Sequence, residues 1–298
     1  MSLFPRYFRP GVSATLAGTT AKNLGLPPPA PKGPRITFRV RKTMASTPDR
    51  ATVSIYNLAP ERTAAMSTLF GATGRTPLII AGGYDGVLSR LFLGDVRSLD
   101  TDRQAGPSDT MLVAQADDGG DALANVSVSY STAGWTAGDM IDVALLAFAT
   151  NGYPIAKHPT VGAAVAAVTA SATVSFYAAA HVGRASQLLD EAARLLGVRW
   201  WVRDSQLFMV KRGAPVDTIA TVLPKTHLLD TPSFDGSGLL RTTALFDPNI
   251  LPGRLVALQG RIAPGSLEPY RVEATDHSGD THGGRAWSVA MTLRKPTI

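Results

Sequence analysis

One short, glycine-containing stretch holds four residues of types that bind metal ions. The stretch is ATDHSGDTHGG, and its candidate ligands are Asp276, His277, Asp280 and His282. Carboxylate and imidazole groups are common protein ligands of Zn²⁺. The glycines and the strand-like flanks also fit a polar hairpin loop, which needs no metal. We adopt that interpretation, so the sequence predicts no metal site.

A second acidic stretch, GDVRSLDTD, raises the question of glycoside hydrolysis. Asp95 could act together with Asp100 or Asp102. A glycosidase needs one carboxylic acid in an apolar pocket facing a second carboxylate. The same residues are explained more simply as a solvated strand end and turn, and we predict no catalytic residue here.

Other signatures of enzymes are missing from the sequence. It has no cysteine, which excludes disulfides, thiolate metal ligands and cysteine nucleophiles. It contains no nucleophile elbow of the Gly-x-Ser-x-Gly type, no phosphate-binding Walker loop, and no Gly-x-Gly-x-x-Gly after a strand. The sequence therefore predicts a protein that is not an enzyme and has no cofactor or small-molecule substrate.

Positive charge is concentrated at the N-terminus. Residues 1–48 contain eight lysines and arginines and no acid: Arg6, Arg9, Lys22, Lys32, Arg35, Arg39, Arg41 and Lys42. Residues 1–34 read as an extended basic arm, because the proline-rich run LPPPAPKGP at 26–34 favours extended backbone. Such an arm can bind nucleic acid or an acidic protein surface. We predict docking on a neighbouring subunit, with Arg6, Arg9, Arg39 and Arg41 as interface residues.

Two adjacent tryptophans, Trp200 and Trp201 in VRWWVRD, are the remaining interface candidates. On a strand they point to opposite faces. One can pack under the helix predicted at 184–196, which leaves the other exposed or at a contact between subunits, where tryptophan is enriched. The alternative is that a domain boundary buries both.

The elements that carry these residues divide the chain into β-rich, mixed and β-rich parts. Residues 35–131 alternate like a small antiparallel barrel, with Ile36, Phe38 and Val40 facing inward and further strands at about 51–57, 109–116 and 126–131. Between them, Pro60 is suited to begin a short helix and Gly71 to end it. Asp85-Gly86 is a two-residue hairpin turn.

Residues 132–225 form the mixed α+β part. A helix is predicted from Asp139 to a stop at Asn151-Gly152, with Met140, Val143, Ala144 and Ala147 as its apolar stripe. A second helix over 184–196 ends at Gly197, and a tight hairpin follows around Asp204-Ser205. Residues 226–298 return to strands. The clearest has Trp287, Val289, Met291 and Leu293 facing inward, which predicts a buried Trp287.

Composition agrees with a chain that is largely interface. The chain has 298 residues, of which 45% are hydrophobic and 17% charged, against roughly 25% charged in typical soluble domains. Residues 159–180 are uncharged over about the length of a membrane crossing. Their apolar content is mostly alanine diluted by threonine and serine, which favours a buried or interfacial segment.

Taken in order, these motifs resemble the baseplate (tail) hub proteins of tailed bacteriophages. The resemblance lies in RATVSIYNLAPERTAAM, in the helix GWTAGDMIDVALLAFATNG, in VSFYAAAHVGRASQLLDEAARLLGVRWWVRDSQLFMVKRG, and in FDPNILPGRLVALQG with HSGDTHGGRAWSVAMTL. It covers about residues 35–298.

The resemblance implies both a fold and a role. The fold would be mainly β, with two tube-like antiparallel β-barrel domains, 35–131 and 226–298, flanking the inserted module. Three copies would form a pseudo-sixfold ring in the virion baseplate that joins the tail tube to a spike or central fibre and contacts other baseplate proteins. The chain would be made in the host cytoplasm, and DNA would be only cargo in the lumen.

Two other functions stay open on the sequence. One is a tail-tip protein that cuts the cell wall or binds carbohydrate, with Asp95 or Asp102 in a cleft. The other is a nucleic-acid-binding protein that uses the basic arm, whose affinity would fall steeply with salt.

Overall fold

The chain divides into two units, which we name the mainly β unit and the α+β unit. The mainly β unit comprises residues 1–43, 50–117 and 217–295, and the α+β unit comprises residues 44–49, 118–216 and 296–298. The computed structural model describes residues 10–16, 19–23, 34–72, 75–84, 87–102, 110–132, 136–169, 179–259, 267–282 and 287–297.

Alternating apolar and polar residues build the sheet of the mainly β unit, as the sequence predicts. Ile36, Phe38 and Val40 are buried while Arg39 and Arg41 are exposed, which is the period of a strand with one buried face. The strands are β1 (Pro10–Leu16), β2 (Thr19–Asn23), β3 (Ile36–Thr43), β4 (Arg50–Tyr56), β5 (Pro77–Tyr84), β6 (Val87–Asp102), β7 (Met111–Asp117), β13 (Ala220–Leu223), β14 (Ser233–Phe234), β15 (Leu240–Leu245), β16 (Leu255–Gln259), β17 (Leu267–Asp280) and β18 (Ser288–Arg294).

Strand pairing joins these strands into one network. Their order is β14-β15-β18-β17-β3-β4-β7-β6-β5-β1-β2, and β13 pairs with β16, which pairs with β17. Strand β17 links the two β-rich parts of the chain, because its first residues pair with β16 and residues from Ala274 onward pair with β3. A register shift between Val272 and Ala274 marks the change of partner.

Two hydrophobic cores lie in the mainly β unit. The first contains residues of β3 to β7 and takes Phe246 and Trp287 from the C-terminal part. The second is made only of residues from 223 to 293. The predicted mainly β fold with an α+β module is confirmed. The described strands of the two β-rich parts form a single hydrogen-bonded network, and their division into two β-barrel domains, 35–131 and 226–298, stays a prediction.

The short helix of the mainly β unit begins where proline predicts. Helix α1 spans Pro60–Ala72, and its Met66 is fully buried against the first core. The helix continues one residue past Gly71, so the predicted end is wrong by that residue. Strands β5 and β6 pair Tyr84 with Val87, but the predicted Asp85-Gly86 turn lies outside the described residues.

The α+β unit carries the remaining elements. They are α2 (Gly120–Asn125), β8 (Ser127–Thr132), α3 (Ala137–Thr150), β9 (Ala156–Lys157), α4 (Pro159–Thr169), β10 (Ala179–Arg184), α5 (Ala185–Leu196), β11 (Val198–Arg203) and β12 (Gln206–Lys211). A 3-10 helix at Lys225–His227 belongs to the mainly β unit.

Local signals determine the ends of the two main helices of this unit. Thr136 and Asp139 form a reciprocal capping box at the start of α3. Gly197 ends α5 with a left-handed φ of 65°. The buried face of α3 also includes Ile141 and Phe148, so the predicted stripe lies toward one side of the face that is buried.

Two sequence-based predictions need correction. The predicted arm, residues 1–34, includes two strands of the sheet, because β1 and β2 pair with each other and β1 pairs with β5. The strand expected at 126–131 does not complete the first β domain, since β8 pairs with β10 in the α+β unit. Period-2 alternation identifies a strand but not its partner.

The uncharged segment begins with helix α4, which has 11 residues. Its residues are mostly exposed or half-buried, with Val161 buried. Residues 170–178 of the segment lie outside the described residues, and its last two residues, Ala179 and Ala180, begin β10. None of the described helices has both the length and the apolar character that crossing a membrane requires.

Candidate assembly surfaces

A row of ion pairs runs along the exposed sides of β3 and β17, and we call it the charged strip. It consists of Arg35 directly before β3, of Arg39 and Arg41 on β3, and of Asp276 and Asp280 on β17. Arg39 Nη2 lies 2.5 Å and Arg41 Nε 3.1 Å from Asp276 Oδ2, so one carboxylate receives two guanidinium groups. Arg35 binds Asp280 through Nε and Nη2 at 3.1 and 2.7 Å.

The pairing changes the ionisation of both acids in the charged strip. Burial by itself would raise the pKa of Asp276, but hydrogen bonds from Arg39 and Arg41 outweigh it and lower that pKa below its usual value. The pKa of Asp280 is lowered in the same way by Arg35. The arginine side chains are 44 to 58% exposed, so their pairing adds little stability. The acids of the strip therefore stay ionised at neutral pH, and its arginines face solvent.

A polar cavity of about 430 Å³ adjoins the charged strip, and Arg41 and Asp276 are among its lining residues. Lys42, Arg241 and Asp230 are among the side chains that line it. The hydroxyl of Thr275, another lining residue, is buried without a hydrogen-bond partner. Arg41 thus belongs to both the strip and the lining of the polar cavity.

Two of the candidate metal ligands, Asp276 and His277, lie on opposite sides of strand β17. Asp276 and Asp280 take part in ion pairs on one side of β17, and His277 is fully buried on the other. One ring nitrogen of His277, Nε2, lies 3.1 Å from the carbonyl oxygen of Asp247. The pleat of the strand therefore separates the candidate ligands, and among the described residues no group of three acids or histidines could hold a metal.

The same stretch corrects the expectation of a hairpin loop. Residues 276–280 belong to strand β17, which continues to Asp280. Gly279 lies where a side chain could not fit, because a Cβ there would be 2.3 Å from the indole of Trp287 and 2.4 Å from the ring of Phe38. The glycine thus permits close aromatic packing rather than a turn.

Asp95 is not arranged as a glycosidase acid would be. It is 7% exposed, and its Oδ2 accepts hydrogen bonds from Nε and Nη2 of Arg75 at 3.1 and 2.7 Å. Asp100 is exposed on the same strand, and the side chain of Asp102 is outside the described set. A structural ion pair therefore accounts for Asp95.

Both tryptophans of the VRWWVRD stretch are buried in the α+β unit. Trp200 is 4% exposed, and its indole N–H donates to Asp190 Oδ1 at 2.8 Å. Trp201 is 1% exposed and stacks on Phe208 with ring centroids 5.4 Å apart. The two indoles point to opposite faces as predicted. Of the two alternatives for their exposure, the structure agrees with burial of both, because both faces of this strand are covered.

A buried charge cluster in the α+β unit escaped sequence reasoning. Arg203 lies among Asp49, Asp118 and Asp204, and its Nε is 3.5 Å from Asp49 Oδ2. Burial lowers the pKa of Arg203, while the aspartates oppose that shift. Asp204 adjoins Arg203 in sequence and was visible as part of a turn, but nothing in the local sequence signals a partner as distant as Asp49.

The basic N-terminal segment is more neutral in the structure than in the sequence. Arg35, Arg39 and Arg41 are paired with aspartates and Lys42 is buried. Arg6, Arg9 and Lys32 lie outside the described residues. Pairing of three of its arginines weakens the case for a nucleic-acid-binding arm, which depends on accessible positive charge.

Comparisons by sequence and by structure gave different results. No family model and no curated protein sequence matches this chain. Among solved structures, the 43 kDa tail protein of prophage MuSo2 from Shewanella oneidensis aligns with a TM-score of 0.62 and 11% identity, over 96% of this chain and 97% of that one. A tail protein from Neisseria meningitidis MC58 aligns with a TM-score of 0.61 and 12% identity, over 96% of each chain.

A third similar structure comes from a secretion system. It is the E. coli c3393 protein, described as a component of the type VI secretion system with structural similarity to the T4 bacteriophage tail proteins gp27 and gp5. It aligns with a TM-score of 0.56 and 13% identity, over 89% of this chain and 74% of that one. Likeness at these identities concerns the fold. The chain has the fold of phage tail proteins, as its sequence motifs predict.

Proposed function

We propose that this chain is a structural hub subunit of a phage-type tail baseplate and has no enzymatic activity. The observation that carries the proposal is its likeness to two prophage tail proteins over almost the full length of both chains. An alignment of that extent includes the β-rich parts together with the α+β module, rather than one widespread motif. The candidate acid Asp95 is engaged by Arg75, which agrees with a structural role.

The proposed assembly is a ring of three copies with pseudo-sixfold symmetry. Each copy would contribute two β domains, and the two hydrophobic cores of the mainly β unit support that division. A closed ring needs head-to-tail contacts whose rotation closes. In the described strand order the sheet ends at β2 and β14, and terminal strands can pair with a neighbouring subunit.

The ring would join the tail tube to a spike or central fibre within the virion baseplate, next to other baseplate proteins. DNA would pass through its lumen as cargo. We assign the charged strip, and Arg39 and Arg41 in particular, to a contact between subunits or with the tube. Exposed, paired charges mainly determine the orientation and rate of association, which is what a symmetric adaptor requires.

Sedimentation of the purified chain tests the ring. We expect a species of three times the 31.3 kDa chain mass at high protein concentration, or after addition of the tube or spike partner. A chain that stays monomeric or dimeric in the presence of those partners contradicts the hub. Clearing of a peptidoglycan suspension that is lost in Asp95→Asn would contradict the non-enzymatic role.

Substitution of Arg41 tests the assignment of the charged strip. Arg41→Gln should raise the concentration needed for trimer formation, because it removes a charge from both the strip and the adjacent cavity. Arg90→Gln is the matched control, since Arg90 is an exposed arginine on β6 that belongs to neither feature. Equal trimer formation by both variants would remove the strip from the interface.

A further inference from the structure

An apolar groove lies in the mainly β unit beside the paired ends of β5 and β6. Its volume is about 350 Å³, and its lining includes Tyr84, Val87, Leu223, Phe246 and Pro248. Val87 is 74% exposed at the groove. Exposed apolar surface of this kind often marks a binding site.

Two consecutive glycines shape the groove. A Cβ on Gly82 would lie 2.7 Å from the ring of Phe246, and a Cβ on Gly83 would lie 2.0 Å from the carbonyl oxygen of Val87. The glycines let the aromatic ring and the neighbouring strand approach closely. They also leave this part of β5 without side chains that could fill the space.

The N-terminal end of β1 adjoins this groove. Pro10 pairs with Tyr84 and Gly11 with Gly83, and both partners line the groove. The first residue of β1 therefore lies beside the groove. Strand β6 is two strand spacings from β1, about 10 Å, while nine extended residues span roughly 30 Å. Residues 1–9 are therefore long enough to reach the β5 and β6 side of the groove from their own chain.

The sequence of this segment complements the groove. It reads MSLFPRYFR, with Tyr7 and Phe8 between Arg6 and Arg9. The groove offers aromatic and aliphatic side chains and one carboxylate, that of Asp247. Aromatic pairs and cation–carboxylate contacts are the interactions that such a match would supply.

We propose that residues 1–9 dock in the groove of their own chain, with Tyr7 and Phe8 against its apolar walls and the flanking arginines beside Asp247. This docking is independent of the hub role. It makes the first nine residues a part of the mainly β unit instead of a free arm that reaches for nucleic acid or a neighbour.

Cysteine cross-linking tests the proposal cleanly, because the natural chain has no cysteine. The full chain with Pro5→Cys and Ser89→Cys leaves both proposed aromatic anchors intact and places one thiol at the groove. Under mild oxidation we expect a disulfide within one chain, identified by peptide mapping and by monomer mobility on a non-reducing gel. Adding Tyr7→Ala and Phe8→Ala should slow its formation about tenfold or more, since 1.4 kcal/mol of lost interaction corresponds to a factor of ten.

Each other outcome overturns the proposal. A disulfide between two chains would place the segment on a neighbouring copy. An unchanged rate after removal of the aromatic anchors would show tethering without docking, and no disulfide would show that the segment lies elsewhere. As a second measurement, the single variant Ser89→Cys should react with a thiol reagent more slowly than the same variant carrying Tyr7→Ala and Phe8→Ala.

A separate variant tests how much the charge of Asp247 contributes to the proposed docking. Asp247 Oδ1 accepts hydrogen bonds from the backbone and side chain of Asn249, and asparagine keeps an oxygen in that position. Asp247→Asn should slow disulfide formation about two- to fivefold at low salt and have less effect at high salt. An unchanged rate at low salt would contradict the placement of the arginines.

Discussion

The charged strip of the mainly β unit and the Arg203 cluster of the α+β unit treat charge in opposite ways. The strip keeps its ion pairs on the surface, where Arg39 and Asp276 have side chains 56% and 26% exposed. The α+β unit buries Arg203 and Asp49, whose side chains are 6% and 2% exposed. Exposed pairs contribute little to stability and remain available to partners. A buried charge is costly to leave unpaired and so constrains the chain around it.

The units also differ in how far along the chain their aromatic contacts reach. In the mainly β unit, Trp287 lies 5.4 Å from Phe38 and 5.1 Å from Phe246 between ring centroids. In the α+β unit, the hydrogen bond of Trp200 goes to Asp190 on the helix that precedes it. The aromatic contacts of the first core form only when strands distant in sequence have assembled. The contact of Trp200 in the α+β unit joins two elements that follow each other in the chain.

Removal of the central indole should have the largest effect. Trp287 is 1% exposed, so Trp287→Ala should lower the free energy of unfolding by about 3–5 kcal/mol, measured by urea denaturation. Phe234→Ala is the control, because Phe234 is 61% exposed, and it should cost less than about 0.5 kcal/mol. A loss below about 1 kcal/mol for Trp287→Ala would mean that the shared core is not as described.

Breaking the buried ion pair of Asp49 and Arg203 should cause the second largest loss of stability. Asp49→Ala leaves Arg203 with fewer compensating carboxylates, and we expect a loss of about 3 kcal/mol in the unfolding of the α+β unit. The double variant Asp49→Leu/Arg203→Met should recover part of the loss, since it removes the buried charge as well. Equal stability of Asp49→Ala and the natural chain would contradict the contrast between the charged strip and the Arg203 cluster.

Substitution of either adjacent tryptophan by phenylalanine should lower stability by a smaller amount, and each variant serves as the control for the other. Trp200→Phe removes an indole N–H that donates to Asp190 at 2.8 Å, and we expect a loss of about 1–2 kcal/mol. The indole N–H of Trp201 is buried without a partner, so Trp201→Phe should cost less than Trp200→Phe. The reverse order in urea denaturation would mean that the hydrogen bond to Asp190 is not formed.

The charged strip should show the smallest effect on stability. Asp276→Asn should cost about 1 kcal/mol or less at pH 7, and less at high salt. Because the pKa of Asp276 is lowered in the folded chain, its contribution is complete above the unfolded value of about 3.9. It is lost as the pH falls through the lower folded value. Stability curves of Asp276→Asn and the natural chain should therefore converge in acid, and parallel curves would contradict the pairing.

Features that depend on a few neighbouring residues were predictable. The capping box residues Thr136 and Asp139 mark the start of α3, and Gly197 marks the end of α5. The pair Asp204-Ser205 indicates a hairpin. In the structure Asp204 and Ser205 have positive φ values of 50° and 60°, as a two-residue turn between antiparallel strands requires. The alternation from Trp287 to Leu293 also predicted a buried face correctly, because burial follows directly from the period of the strand.

Features that depend on the choice of partner were not predictable. Alternation identified the strand at 127–132 but not its pairing with β10, and the proline-rich, basic composition of the N-terminal region obscured the hairpin of β1 and β2. For the same reason, the sequence left open whether one of the two tryptophans or neither would be exposed. A strand has two faces and two edges, and distant segments decide which of them are covered.

By itself, the sequence determined the mainly β class, the α+β module, the helix ends and turns, and the resemblance to phage tail proteins, since these follow from local periodicity and short motifs. Only the tertiary structure decided that β17 joins the two β-rich parts, that Asp49 accompanies Arg203, and that Asp276 pairs with Arg39 and Arg41. These contacts join residues about 150 or more positions apart, and their free energy arises only when the surrounding sheet or core has brought them together.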